Sequence, residues 1–64
     1  MIEILKSRDV IRLNFLKSML EAAEIPAFVF EVGTWPGAFP ARLMVSAEDG
    51  ALARRLIAES ERGL

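Results

Sequence analysis

Neither cysteine nor histidine occurs anywhere in this chain. Without cysteine no disulfide can staple the fold, and without either residue the usual thiolate and imidazole ligands of a structural zinc are missing. The lack of histidine also removes the side chain used most often as a general base near neutral pH. Tyrosine is absent too, and tryptophan occurs once. No apolar run approaches the roughly 20 residues of a membrane-spanning helix, so no membrane is expected as a partner. Neither sign of charge is in excess: eight Lys+Arg against nine Asp+Glu leave a net charge of −1, with a pI near 5.3. A nucleic-acid binder normally shows a basic face, so nucleic acid is not expected either. The opening residues, MIEILKSRDV, place Glu3 where a signal peptide would be basic, and no long apolar segment follows. The cytoplasm is the expected compartment.

What is present is apolar and short. The 64 residues make one domain, 1–64, in which 53% of positions are hydrophobic and the mean hydropathy is +0.34. A chain of this size buries only about 60% of the surface its unfolded form exposes. The reinforcements left to it are very good packing or self-association. Some apolar surface has no place within a single copy, which predicts a homo-oligomer, a dimer in the first instance.

Taken in order, Met1 to Lys6 reads as a strand, with Ile2 and Ile4 on one side and Glu3 and Leu5 on the other. Ser7 offers a helix N-cap, and Asp9 falls in the first turn, where the helix dipole favours a negative charge. From Arg8 to Glu24 the spacing of Val10, Leu13, Leu16 and Leu20 is helical, and Ile11, Phe15, Met19 and Ala23 widen the stripe beyond what one sheet face needs. Ile25-Pro26 ends that helix, because a residue before proline is pushed out of the α region.

Ala27 to Val32 is the second expected strand. Phe28, Phe30 and Val32 share one face, and Ala27, Val29 and Glu31 the other. Since Glu31 should be wet, the phenylalanine face is assigned to the core; the reverse would put two phenylalanines on an open sheet face and make oligomerisation almost compulsory. Ala41 to Ser46 is the third strand, with Leu43 and Val45 inward and Arg42 and Met44 outward. Ser46 and Asp49 then resemble a capping box, with Asp in place of the longer Glu. A second helix runs to about Arg62, its buried stripe Leu52, Ala53, Leu56, Ile57 and Ser60, its solvated face carrying an Arg55–Glu59 pair, and Gly63 its C′ residue.

The order strand, helix, strand, strand, helix, with a right-handed crossover and a loop of eight residues, places the third strand between the other two and both helices on one face. That is an α+β fold: a ferredoxin-like α/β plait lacking its last strand, β-α-β-β-α, with a three-stranded antiparallel or mixed sheet. The missing strand would leave the Met1–Lys6 edge unpaired, which favours edge-to-edge pairing or strand addition by a partner.

The pattern SRDV…LKSMLEAAEIPAFV, a proline-containing hairpin loop and RLMVSAEDGALARRLI resembles the small bacterial putative prokaryotic signal-transducing proteins, a family of unknown function. The likeness runs over nearly the whole chain and is strongest at Ala23-Glu24-Ile25-Pro26 and Val45-Ser46-Ala47-Glu48-Asp49. The family usually carries Gly where Glu24 stands, a departure that weighs against a left-handed helix cap, since Glu is costly at positive φ. The resemblance implies kinship in fold with the nitrogen-regulatory PII proteins, whose loop between the second and third strands contacts partners. Thr34 to Phe39 occupies the equivalent place and is much shorter. No PII effector motif accompanies it, so binding of those effectors is not implied.

Chemistry is thin. Ser7 and Ser46 read as helix caps, and Glu48 and Asp49 as ordinary partners of a helix dipole. No hydroxyl has a context that would activate it, and no glycine-rich phosphate loop exists. No enzyme and no cofactor are expected. Arg42, outward on the third strand, suits a cross-strand ion pair with Glu3 or Glu31, or an anion contact. In the loop, Trp35 and Phe39 each precede a proline, and Gly33 and Gly37 supply the bends. The two aromatics either fold back over one end of the core or stand exposed as anchors for a partner. The leading expectation is a regulatory or protein-interaction module that self-associates through its sheet edge or open face. Thr34, Trp35, Pro36, Phe39 and Arg42 are its candidate contacts to a protein partner. The alternative is a sensor of a small anionic metabolite bound at a subunit interface, with Arg42 as the anion contact.

Overall fold

A computed structural model describes residues 1–31, 33 and 39–62. Strand β1 (Ile2–Ser7) leads to helix α1 (Val10–Ala22), strands β2 (Ala27–Phe30) and β3 (Ala41–Val45), a 3₁₀ turn at Ala47–Asp49, and helix α2 (Gly50–Arg62). The sheet order is β1-β3-β2, with β3 antiparallel to both neighbours. This is the ferredoxin-like plait without its fourth strand, as the order of elements predicts. Leu43 and Val45 point inward from the central strand and join Leu13, Leu16 and Leu20 of α1 and Ala53 and Ile57 of α2 in one buried cluster, so both helices cover the same sheet face.

The start of α1 corrects the cap assignment. Asp9, not Ser7, is the N-cap: its Oδ1 accepts from the Arg12 amide at 3.0 Å, and Ser7 Oγ accepts from the Asp9 amide one turn earlier. Asp suits the role because its carboxylate meets both an orphan N–H and the positive helix end. At the far end the left-handed cap survives the loss of glycine. Glu24 sits at φ 65°, the Ile25 amide donates to the Leu20 carbonyl at 2.9 Å, and the Glu24 amide donates to Glu21 at 3.0 Å. These two bonds form a Schellman motif, and its hydrophobic contact is the burial of Ile25 beside Leu20.

The motif over-determines the backbone at Glu24, so the strain of a side chain at positive φ, roughly 1–2 kcal/mol, is carried by the fold. Glu24→Gly is therefore expected to raise the unfolding free energy by about 1 kcal/mol, net of the extra freedom glycine gives the unfolded chain. Urea denaturation checks this through a higher midpoint at unchanged slope.

Two strands depart from simple alternation. In β1 the register shifts between Glu3 and Leu5, where Ile4 is the extra residue of a bulge. The bulge re-phases the strand: Ile2 opposes Val45 and Leu5 opposes Leu43, both inward, while Glu3 and Lys6 oppose Met44 and Arg42 on the outer face. Leu5 therefore lies with Ile2, not with Glu3. In β2 the assigned face is reversed. Ala27 and Val29 oppose Val45 and Leu43 inward, and Phe28 and Phe30 stand outward, 49% and 51% exposed. Glu31, which served to fix the phase, lies beyond the last residue of the strand and constrains nothing. A small Ala27 on the inner face also suits close approach of the sheet to α1.

At the start of α2, Ser46 Oγ bonds Asp49 Oδ2 at 3.1 Å and the Asp49 amide donates to the Ser46 carbonyl, so the expected Ser–Asp pairing exists but caps a 3₁₀ turn. Gly50 then opens α2 so close to β1 that a Cβ there would stand 2.5 Å from Ile2 Cδ1. Leu52, expected in the buried stripe, is exposed, and the helix covers the sheet with Ala53 and Ile57. The Arg55–Glu59 pair forms at 3.3 Å, and Arg12 pairs with Glu61 between the two helices. Gly63, the expected C′ residue, lies outside the described residues.

Candidate functional site

Among the described residues nothing is packed over the sheet face opposite the helices, and the strand register dictates its composition. Residues directly opposite on antiparallel strands share a face, so two rows of three run across it: Glu3–Met44–Phe28 and Lys6–Arg42–Phe30. The β2 column is aromatic. The Phe28 and Phe30 rings lie with centroids 6.4 Å apart and planes tilted by 35°, within the range of a favourable aromatic pair. The central column carries Met44 and Arg42. The β1 column is charged, with one residue of each sign. Glu31 adds a second acid at the end of β2, so the face balances two carboxylates against two cations.

Arg42 occupies the middle. Its Nε lies 3.7 Å from Glu3 Oε1, the cross-strand ion pair that its outward position predicts; both side chains are about half exposed and the contact is long. In water such a pair contributes at most about 1 kcal/mol. Two recesses flank this arginine. One, of about 170 Å³, is lined by Lys6, Phe39, Pro40 and Arg42. The other, of about 380 Å³, is lined by Phe30, Glu31, Arg42 and Met44.

Of the candidate contact residues, Phe39 and Arg42 are brought together in the smaller recess. Thr34, Trp35 and Pro36 lie outside the described residues, as do Gly37 and Val32. Phe39 does not close the core: it is 56% exposed, and its ring lies against Gly33. Gly33 adopts φ +85°, the bend expected of it, and a Cβ there would meet the Phe39 ring at 3.3 Å. The larger part of the surface lies outside the candidate contacts: Phe28 and Phe30, expected in the core, and Met44 and Lys6 all stand on this face. The signal that finds them is the hairpin register, since an outward Arg42 obliges Phe30, its neighbour across β2–β3, to face outward too.

A second exposed apolar stripe lies on α1, where Ile11 (85%) and Phe15 (62%) point away from the sheet. These residues widen the helical stripe in the sequence and find no partner among the described residues. Among the described residues there is no cluster of metal-ligating side chains, no buried side-chain polar atom without a hydrogen bond, and no helix long and apolar enough to cross a membrane.

A family model described as "putative prokaryotic signal transducing protein" matches residues 1–61 of the chain. No curated protein and no solved structure matches it.

Proposed function

The chain belongs to this family of putative prokaryotic signal transducing proteins, and from that membership we propose that it acts by binding, through the open sheet face, and that the occupant of the face is a second copy of the same chain. The observation that carries this reading is the paired, half-exposed Phe28 and Phe30 beside Met44 on the sheet face opposite both helices. Aromatic side chains in the middle of a flat face are what an interface core uses.

The pattern of the face favours a second copy over an unrelated protein. A two-fold axis lying between two sheets and perpendicular to the strands exchanges the rows. Glu3 then faces Lys6 of the second copy, Phe28 faces Phe30, and the thioether of Met44 lies along the aliphatic stem of Arg42. Every position meets a complement, and the net charge brought into the interface is zero. A one-sign partner would leave either the acids or the cations unmatched.

Sedimentation equilibrium from micromolar to millimolar chain tests the reading and is expected to show a monomer–dimer equilibrium. Glu3→Lys and Lys6→Glu should each weaken association several-fold, and the double swap should restore most of the loss, since the axis pairs these two positions. A monomer at high micromolar concentration contradicts the proposal. So does a double variant weaker than both single ones.

A further inference from the structure

Lys6 and Arg42 stand directly opposite one another in the β1–β3 register. Like charges in that position repel and cost stability, and among the described residues only Glu3 forms an ion pair that offsets them. Arg42 has one long contact to Glu3, and Lys6 is exposed with no ion pair among the described residues. Among the described residues two sets of donors therefore remain without a partner side by side: the terminal guanidinium nitrogens and the ammonium. Phe39 and Pro40 line the same open recess of about 170 Å³. A tetrahedral oxyanion set there would accept from both cations at once and remove their repulsion, the role in which arginine's planar fork excels.

The second recess adds the rest of a ligand. It shares Arg42 with the first, has Phe30 and Met44 for its apolar walls, and has Glu31 at its lining. Its volume of about 380 Å³ lies in the range of ~300–1,000 Å³ typical of small-molecule sites. A flat ring lying against Phe30 gains stacking and burial, and an amino group on that ring can donate to Glu31. We propose that this face binds a phosphate monoester of a flat, amine-bearing ring, the class of nucleoside monophosphates, with the phosphate across Lys6 and Arg42 and the ring on Phe30 and Met44. Bound there, the ligand occupies side chains that a second copy would cover, so ligand and second copy exclude each other. This regulatory consequence rests on the face-to-face reading above; the binding site does not.

The two are separated by working with Phe28→Ser: Phe28 lines neither recess, its loss should remove the self-association, and because its ring pairs with Phe30 the ligand-free spectrum of the variant itself serves as the reference. Amide chemical shifts of ¹⁵N-labelled Phe28→Ser are followed on titration with adenosine monophosphate, inorganic phosphate and adenosine. The monophosphate is expected to shift Phe30, Glu31, Lys6 and Arg42 together; inorganic phosphate should shift Lys6 and Arg42 alone and more weakly. A further Lys6→Ala change should lower affinity for the monophosphate roughly tenfold, with an unchanged circular dichroism spectrum. Absence of shifts at these residues overturns the site, and equal affinity for phosphate and monophosphate overturns the ring subsite. Saturating monophosphate should then convert the wild-type dimer to monomer in the ultracentrifuge. A wild-type mass that does not fall, whether it stays dimeric or was monomeric from the outset, overturns the regulatory consequence and leaves the titration to decide the site.

Discussion

Leu43→Ala is expected to leave this protein largely unfolded near physiological temperature. Leu43 is the middle residue of the middle strand, fully buried and flanked in register by Leu5 and Val29. Truncating a leucine in such a place costs about 3 kcal/mol, from lost transfer energy and from a cavity that the neighbours cannot close. Both neighbours are held by the sheet ladder, so collapse around the site is restricted. A domain below ~70–80 residues seldom draws more than ~3–5 kcal/mol from its core, and no disulfide is present to make up the deficit. The loss is thus comparable to the whole stability. Urea denaturation measures it, with Leu52→Ala as the control: that side chain is 47% exposed, and its removal should change stability by no more than ~0.5 kcal/mol. A cost for Leu43→Ala close to that of the control would mean that the core does not centre on β3.

The opposite outcome is expected on the other side of the same strand pair. Phe28→Ser with Phe30→Ser should leave the monomer folded and abolish its self-association. Neither ring contributes to the buried cluster. Their loss costs the monomer strand propensity, within the ~1 kcal/mol span of that scale, and the mutual contact of the two rings. At the interface they stand where a second copy would bury them most deeply. Two aromatic hot spots of ~2 kcal/mol or more each correspond to a rise in dissociation constant well beyond hundredfold. Sedimentation equilibrium and circular dichroism on the same sample read both halves of the expectation. Unfolding of the double variant would place the rings in the core, and an undiminished dimer would place the interface elsewhere.

The contrast between Leu43 and Phe28 shows what could be read from the residues. The helical spacing of Leu13, Leu16 and Leu20, the proline after Ile25 and the outward Arg42 and Met44 each follow from one local periodicity, and the order of elements then leaves few topologies. Strand phase is a different matter. In AFVF both faces are apolar, so alternation gives two equal answers, and the tie was broken by a glutamate that lies past the strand end. The bulge in β1 likewise leaves no mark in IEILKS, where hydrophobic side chains fill either phase. The Schellman cap formed despite Glu24 because its stabilising bonds are made by the backbone, which a side-chain preference does not see. The phase of β2 matters most for the site, because it decides whether two of the six residues of the open face, Phe28 and Phe30, belong to that face or to the core.

The most direct test of the account is an isotope-filtered NOE experiment on an equimolar mixture of labelled and unlabelled chains at a concentration where association is complete. Contacts within one copy are suppressed, so only the interface contributes. Cross-peaks are expected between the ring protons of Phe28 in one copy and Phe30 in the other, with Glu3 and Lys6 close across the same boundary. Intermolecular cross-peaks from Ile11 and Phe15 of α1, with none from the sheet, would contradict it.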